Sequence, residues 1–280
     1  MKLSFVVLNY RSPHHLRICC EYLAKLELPF SYEIIVVDNA SHDESLELVQ
    51  SVRNAYPEAP ITIIANPENG GHAKGNNVGI RQATGEYVMI INPDIMLKDA
   101  ADIVRMVSYM DEHQQTAILG PKLHNPDATI QFSCYRKYSL LTPAYRRSFL
   151  GKLPWAKRDI ARHLMTDFDH NEIRSVDWVL GACMLIRASV IKEIGGFYEN
   201  FFLYFADYEL CDRARQAGYD VIYLPDTQHV IHYHQRQSVT SRFSVLQAVS
   251  YLTRRHLMDW WVYLKKSNVN KQHDKSSSKS

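Results

Sequence analysis

Asn92-Pro93-Asp94 is a candidate for chemistry because it directly follows the apolar run Tyr87–Ile91. Such a run predicts a buried strand, and open α/β sheets bind ligands in the crevice beyond the carboxyl ends of their strands. A carboxylate at this point can hold a hard divalent cation, which takes oxygen ligands and can share them with a diphosphate. Asp94 is therefore a candidate metal ligand. The alternative is a turn in which Asp94 caps the next helix.

Two further segments place polar groups after apolar runs. Asp38 follows the run Glu33–Val37, where a carboxylate can accept hydrogen bonds from a nucleobase or a ribose hydroxyl. The alternative role for Asp38 is to cap the following helix. The segment Asn66–Asn77 follows a third run, and its glycines would let backbone amides approach a ligand at a helix N-terminus. Taken alone, this segment could also be only a loop with a left-handed turn.

Asp207 and a group of histidines complete the candidates. Asp207 stands at the start of a predicted helix, where it could act as a general base toward a nucleophilic hydroxyl or simply cap the helix. His229, His232 and His234 crowd one short stretch, and strand alternation puts His232 and His234 on the same face. One of them could be a ligand while its neighbour lies near phosphate. The choice between His232 and His234 stays open.

The first 120 residues contain the elements that would position these groups. Short β-branched runs alternate with helical patterns, which predicts a parallel sheet wound with helices. The predicted strands are Leu3–Leu8, Glu33–Val37, Ile61–Ala65, Tyr87–Ile91 and Ala117–Gly120. The predicted helices start at Ser12-Pro13, at the capping-box pattern Ser41–Glu44, after Asn69-Gly70-Gly71 and at about Ala100.

The pattern changes after Pro121. A strand-like run is followed by a basic and aromatic segment from Arg136 to Arg162, and then by a long predicted strand that passes through Gly181-Ala182. A helix from 241 to 266 and a Lys- and Ser-rich disordered tail from 267 to 280 close the chain. The predicted elements between 121 and 240 are the strands Thr129–Tyr135, Val176–Arg187, Asp220–Leu224 and His229–Tyr233 and the helices Ser189–Ile194 and Asp207–Gln216.

Composition narrows the class of protein. The chain has 280 residues, 46% hydrophobic and 22% charged, which is typical of a soluble globular protein. A net charge of +2 argues neither for nucleic acid nor for an acidic substrate, and five scattered cysteines favour free thiols in a reducing, cytoplasmic compartment. The N-terminal apolar run is too short for a secretion signal, and no run reaches the roughly 18 apolar residues of a spanning helix. Any membrane contact should therefore be peripheral.

In their order and spacing, these motifs resemble the inverting family 2 glycosyltransferases of the GT-A fold, particularly the bacterial rhamnosyltransferase-like branch. The resemblance runs from Leu3 to Ser238. The motifs that carry it are Val7–Tyr10, Val37–Asp43, Asn69–Gly79, Asn92–Asp94, Trp178–Cys183, Gly195–Phe197 and Phe201–Cys211.

The resemblance implies a GT-A fold, which is an α/β fold with a Rossmann-like mixed sheet flanked by helices, here with a helical basic C-terminal extension. Residues 1–120 would form the nucleotide-sugar-binding half and 121–240 the acceptor-binding and catalytic half of one domain, with 241–266 as a membrane-associating segment. The implied reaction is metal-dependent, inverting sugar transfer using Mg²⁺ or Mn²⁺. The donor would be a dTDP- or UDP-sugar, with dTDP-L-rhamnose as the first choice, and the acceptor a glycan or a polyprenyl-diphosphate-linked sugar in cell-surface polysaccharide synthesis.

The resemblance also assigns roles to residues. Asp207 resembles the catalytic base, and Asp94 and His232 the metal-binding residues. Two positions depart from the family pattern, because Asn92 and Ala206 stand where that pattern has acids. Many relatives of the rhamnosyltransferase-like branch share the asparagine. The implied nucleotide pocket contains Asn9, Tyr10, Asp38, Asn69, Gly70, Lys74 and Asn76, and the place where donor and acceptor sugars meet contains Asn92, Trp178, Gly181 and Ala182.

Basic and aromatic residues alternate between Arg136 and Arg162 and again near the C-terminus, which suggests a surface that rests on anionic lipid at the inner face of the cell membrane. The alternative is a solvated basic face. Two other functions remain open: a sugar nucleotidyltransferase and a non-catalytic glycan-binding or scaffold protein. The first would need a basic Gly-rich loop near the N-terminus, which Asn9–Pro13 does not supply. The second is made conceivable by Asn92 and Ala206. A dead copy, however, would have no reason to keep all four of the residues Asp38, Asp94, Asp207 and His232.

Overall fold

A computed structural model describes residues 1–146, 148–233 and 254–266. Its main feature is an eight-stranded mixed sheet in the order β10-β13-β6-β12-β4-β1-β2-β3. The strands are β1 (Leu3–Asn9), β2 (Tyr32–Asp38), β3 (Ile61–Ala65), β4 (Tyr87–Ile91), β5 (Ile95–Leu97), β6 (Thr116–Pro121), β7 (Leu123–His124), β8 (Ile130–Gln131), β9 (Cys134–Tyr135), β10 (Arg174–Ser175), β11 (Trp178–Val179), β12 (Cys183–Arg187), β13 (Asp220–Leu224) and β14 (Val230–His232).

Helices cover both faces of this sheet. The helices are α1 (Pro13–Ala24), α2 (Ser45–Ala55), α3 (Gly71–Gln82), α4 (Ala100–Glu112), α5 (Thr142–Arg146), α6 (Pro154–His163), α7 (Ala188–Ile194), α8 (Ala206–Gln216) and a helix over 254–266, here α9, with a 3-10 turn at Phe149–Lys152. Alternation along β1 sends Leu3, Phe5 and Val7 into a core cluster with α1, α2 and α4, while Val6 joins the cluster on the opposite face. The predicted mixed α/β architecture is confirmed.

The parallel pairing predicted for the first strands is confirmed, because β4, β1, β2 and β3 are parallel neighbours. The sheet becomes mixed where β12 inserts antiparallel between β4 and β6. It contains strands from both predicted halves of the chain, 1–120 and 121–240. A separate four-stranded sheet, β5-β14-β7-β8, sets β14 antiparallel to β5 and pairs His232 with Ile95.

Two predicted strands are wrong. The strand Val176–Arg187 is divided into β11 and β12 by a turn at Gly181-Ala182, because Gly181 bends toward the start of α8 and donates a hydrogen bond there. The strand Thr129–Tyr135 is likewise divided into β8 and β9, which belong to different sheets.

The predicted capping box at Ser41–Glu44 is also wrong. The second helix begins only at Ser45, because Ala40 and His42 have φ values of 57° and 55°, in the left-handed region. The Ser41 side chain bonds backward to Asp38, and an Asp43 oxygen accepts a hydrogen bond from the Ser45 N–H at 3.0 Å.

Several predictions lie outside the described residues, namely His234, the helix from 241 to 253 and the tail from 267 to 280. Arg147 of the basic segment is also outside them. Within the described ranges, no helix is both long enough and apolar enough to cross a membrane.

Candidate active site

The carboxyl end of β4 meets the amino end of β12. The Asn92 N–H donates to the Ala182 carbonyl oxygen at 2.8 Å, which continues the antiparallel pairing one residue beyond Ile91 and Cys183. The Asn92 carbonyl oxygen in turn accepts from the Ile95 N–H at 3.1 Å and closes the turn around Asp94. Asn92 and Ala182, predicted from separate motifs to share the sugar site, are therefore neighbours.

Asp207 lies in the first turn of α8 and faces Gly181. The Gly181 N–H donates to Asp207 Oδ2 at 3.0 Å and the Tyr208 N–H donates to Asp207 Oδ1 at 2.9 Å. A Cβ atom at position 181 would lie 3.0 Å from the Asp207 Cβ, so glycine permits this close approach. Burial raises the pKa of the Asp207 carboxyl, and the two N–H donors and His72 only partly oppose that shift. The carboxylate is thus held in place and is a stronger base than an exposed aspartate.

His72 is a site residue that the sequence reasoning missed, although it stands within the Asn69–Gly79 motif. Asn76 Nδ2 donates to the His72 carbonyl oxygen at 2.9 Å and lies 3.2 Å from His72 Nε2. Because a carbonyl can only accept, the Asn76 amide orientation is fixed and Nε2 must accept as well. The neutral ring therefore carries its proton on Nδ1. Burial lowers the His72 pKa, opposed by the Asp207 charge and a hydrogen bond with the Asn92 side chain.

Asp94 and His232 come together although 138 positions separate them in the sequence. His232 Nε2 lies 3.2 Å from Asp94 Oδ2, and His232 Nδ1 lies 2.8 Å from Gln131 Oε1. The glutamine oxygen assigns the proton to Nδ1, so the Nε2 lone pair faces the carboxylate. Two acceptors at this separation need a cation or a proton between them.

The pair fits a divalent cation that also has a phosphate-bearing ligand. Among residues 1–146, 148–233 and 254–266, no group of three or more His, Cys, Asp and Glu side chains could hold a metal by itself. Mg²⁺ is commonly bound in this way, through one or two carboxylates together with waters and substrate phosphates. The protein would therefore contribute Asp94 and His232, and the remaining ligands would come from the substrate and water.

Asp38 and Asn9 form a buried polar network at the ends of β1 and β2. Asn9 Nδ2 donates to Asp38 Oδ1 at 2.8 Å, and the Ser41 N–H donates to Asp38 Oδ2 at 3.0 Å. Asn9 Nδ2 also lies 2.9 Å from Ser45 Oγ. Asp38 therefore fixes the turn that precedes α2, and Tyr10 lies next to this network with 42% of its surface exposed.

The predicted residues of the Asn66–Asn77 segment have different surroundings. Asn69 Oδ1 accepts from Asn39 Nδ2 at 2.8 Å and from the Gly71 N–H at 2.9 Å, so it holds the loop against the end of β2. Lys74 extends into solvent and forms an ion pair with Glu68 at 2.9 Å. A Cβ atom at Gly70 would come within 2.7 Å of the Lys74 side chain. Asn76 is fully buried and hydrogen-bonds His72.

Trp178 lies inside an aromatic cluster. It is 4% exposed, and its ring stacks on Tyr135 with a centroid distance of 4.2 Å. Tyr138 and Tyr208 surround the same ring at 5.6 Å and 5.9 Å. Trp178, the first residue of β11, packs within this cluster.

Comparison with known proteins gives consistent matches. Residues 2–266 match the family model described as Glycosyltransferase like family 2. The chain is 26% identical to the N-acetylglucosaminyl-diphospho-decaprenol L-rhamnosyltransferase of Mycobacterium tuberculosis (strain ATCC 25618 / H37Rv), over 92% of this chain and 86% of that one. It is 28% identical to rhamnosyltransferase WbbL of Escherichia coli (strain K12), over 81% and 84%.

Solved structures show the same fold. The mannosyltransferase PcManGT from Pyrobaculum calidifontis, in complex with GDP-Man and Mn²⁺, has a TM-score of 0.58 at 18% identity and matches 84% of this chain. S. aureus TarS 1–349 in complex with UDP-GlcNAc has a TM-score of 0.56 at 20% identity and matches 87%. The matched regions span 58% and 62% of those two chains. The fold is therefore GT-A.

Proposed function

The chain belongs to glycosyltransferase-like family 2, and from that premise we propose that it transfers a sugar from a nucleoside-diphosphate donor to an acceptor hydroxyl with inversion. The observation that carries the proposal is the Asp207 carboxylate, which two backbone N–H groups fix beside Gly181. It faces the same strand ends that carry Asn92 and Ala182. A buried base at the sugar site is what such a transfer needs.

In the proposed reaction, Asp207 accepts the proton of the acceptor hydroxyl as its oxygen attacks the anomeric carbon. The new carbon–oxygen bond forms on one face of the sugar while the bond to the diphosphate breaks on the other, so the configuration inverts. The nucleoside diphosphate leaves with the bonding electron pair. The raised pKa of Asp207 brings its basicity closer to the operating pH, which favours general-base catalysis.

At the diphosphate end, Asp94 and His232 would hold Mg²⁺ or Mn²⁺. When bound, such an ion offsets the negative charge that develops on the leaving diphosphate. The Mn²⁺ present in the PcManGT complex supports the use of a divalent cation. The Asn92 amide adds no charge here, so Asp94 supplies the only carboxylate of the pair.

For the nucleotide, we propose that Asn9, Tyr10 and Asp38 form one wall of the pocket, with the exposed Tyr10 ring available to a base. The names of the mycobacterial and Escherichia coli relatives support rhamnose as the transferred sugar. We propose dTDP-L-rhamnose as its donor. The mycobacterial name also supports a polyprenyl-diphosphate-linked sugar as the acceptor in polysaccharide synthesis.

We propose that the segment from Leu140 to the end of α6 brings the site to the inner face of the cell membrane. Leu140, Phe149 and Trp155 are 65%, 66% and 59% exposed, an unusual display of large apolar side chains. Lys157 and Arg158 are also exposed on this segment, so apolar insertion and attraction to anionic lipid are combined.

A panel of nucleotide sugars with an acceptor and either Mg²⁺ or Mn²⁺ tests the function. Nucleotide release identifies the donor, and the anomeric configuration of the product, read by NMR, tests inversion. Retained configuration would contradict the role of Asp207 as a base. Failure of every donor to release nucleotide, with or without acceptor, would support a non-catalytic glycan-binding protein instead.

A further inference from the structure

Asp259 on α9 binds the loop that leads to Asp207. Its carboxylate accepts hydrogen bonds from three consecutive backbone N–H groups, those of Phe202 at 3.3 Å, Leu203 at 3.0 Å and Tyr204 at 2.9 Å. Asp259 is 2% exposed, so this ionisable group is buried with backbone partners. Charge-assisted hydrogen bonds of this kind are stronger than neutral ones.

The same loop is held on its other side by α3. The His72 N–H donates to the Phe202 carbonyl oxygen at 2.5 Å. Gly71 has a φ of +83°, and a Cβ atom there would lie 2.4 Å from that carbonyl oxygen. The loop therefore lies between the N-terminus of α3 and the buried face of α9.

Phe205 connects the loop to the helix that carries Asp207. It has a φ of +66°, in the left-handed region that bulky residues rarely adopt and that persists only when the surroundings enforce it. Its ring is 4% exposed and packs against two rings of α9, His256 at 5.2 Å and Tyr263 at 5.9 Å. The next residues, Ala206 and Asp207, begin α8.

A second contact ties α9 to α8 itself. Lys266 forms an ion pair with Glu209, one helical half-turn beyond Asp207. Glu209 is 5% exposed and is also bound by Arg213 at 3.0 Å and 2.8 Å. The helix that carries Asp259 is thus attached to both ends of the short segment that contains Asp207.

We propose that Asp259 is a positioning residue for sugar transfer: by binding the N–H groups of residues 202–204, it fixes Phe205 in its left-handed conformation and directs Asp207 toward Gly181. The C-terminal helix is then part of the catalytic architecture. This inference rests on the proposed function of Asp207. Misplacement of a reacting group by about 1 Å can lower a rate about 100-fold, so small loop movements matter.

The test compares Asp259→Ala and Asp259→Asn with the wild-type chain. We expect Asp259→Ala to lower kcat by about 10- to 100-fold, with the dissociation constant of the nucleotide-sugar donor unchanged within about twofold, because the base is displaced and the donor pocket is not. Asparagine keeps one acceptor oxygen, so the kcat of Asp259→Asn should lie between those of the wild-type chain and Asp259→Ala. Asp226→Asn is the control, because it removes an exposed carboxylate that pairs with Arg105 at 3.1 Å.

Amide hydrogen exchange across residues 202–205 gives a readout that needs no activity, and we expect it to be at least about tenfold faster in Asp259→Ala. A folded Asp259→Ala protein with wild-type kcat, or with donor affinity lost in proportion to kcat, would overturn the proposal. If the alanine variant does not fold, Asp259→Asn decides by the same two readouts. If the wild-type chain transfers no sugar, the proposed function is wrong. If amide hydrogen exchange at residues 202–205 is unchanged in the Asp259 variants, only the proposed role of Asp259 in holding the loop is refuted.

Discussion

His163 should make the stability of this protein fall as the solution becomes acidic. It is fully buried in the last turn of α6, with the rings of Tyr138 and Tyr135 at 4.2 Å and 5.4 Å. Its Nδ1 lies 2.8 Å from the Arg136 carbonyl oxygen, and an Arg146 guanidinium nitrogen lies 3.3 Å from Nε2. A proton on Nε2 would have neither water nor an acceptor. Burial, with the nearby arginine charge, lowers the His163 pKa to about 3.

The size of the effect follows from the difference between this value and the ordinary histidine pKa of about 6.5 in the unfolded chain. Above pH 6.5 both states are neutral at this site, and the full stability is present. As the pH falls below 6.5, the unfolded chain binds a proton that the folded chain does not bind until about pH 3. Each pH unit in that window costs about 1.4 kcal/mol, so the loss between pH 8 and pH 5 is about 2 kcal/mol.

Urea unfolding of the wild-type chain and of His163→Phe at pH 8 and pH 5 measures this loss. Phenylalanine keeps a ring between the two tyrosines but cannot titrate. His124 and His170, whose pKa values are also lowered by burial, are present in both proteins and cancel in the comparison. The difference in free energy of unfolding between the two proteins should shift by about 2 kcal/mol between the two pH values. A difference that stays constant within about 0.5 kcal/mol would refute the reasoning.

Four further predictions concern the site and its surface. Asp207→Asn should lower transfer by about 10²- to 10⁴-fold with unchanged donor affinity, while Asp212→Asn on the same helix should not; equal rates for both would exclude Asp207 as the base. In the wild-type chain, kcat should fall as the pH drops through the raised pKa of Asp207, with a midpoint above that of an ordinary aspartate, and a midpoint at or below it would contradict the assigned burial. Asp94→Ala should weaken Mn²⁺ binding in the presence of nucleoside diphosphate by about tenfold or more in calorimetry, and wild-type affinity would remove Asp94 from the metal site. Phe149→Asp should reduce co-sedimentation with anionic liposomes severalfold while leaving donor hydrolysis intact, and sedimentation independent of lipid charge and of this variant would favour a solvated basic face.

Several strands of the large sheet could be predicted closely from sequence. Ile61–Ala65, Tyr87–Ile91 and Asp220–Leu224 have the predicted bounds, because short β-branched runs between turn residues leave little choice of element. The break between Val179 and Cys183 could not be predicted in the same way, since the apolar pattern continues through it. What interrupts the strand is the hydrogen bond from Gly181 to Asp207, which lies 26 positions away.

The candidate site was predicted in part. Two separate motifs predict Asp94 and His232 as metal ligands. The antiparallel pairing of β5 with β14 brings the two residues together. His72 could have been predicted as a site residue, since it is a titratable residue inside a Gly-rich motif at a helix N-terminus. The role of Asp259 could not be predicted from sequence. It belongs to an apolar helical pattern, and its partners are backbone N–H groups 55 to 57 positions earlier.

The presence of an amide rather than a carboxylate at position 92 has a physical explanation in this arrangement. The Asn92 side chain hydrogen-bonds His72, whose pKa is raised by the charge of Asp207 and lowered more strongly by burial. A carboxylate at 92 would add a second negative charge beside His72, which would raise the His72 pKa and draw a proton onto the ring. The neutral amide avoids this effect. With an amide at position 92, Asp94 is the only carboxylate of the pair that it forms with His232. We therefore infer that cation binding by this pair depends on the diphosphate of the donor.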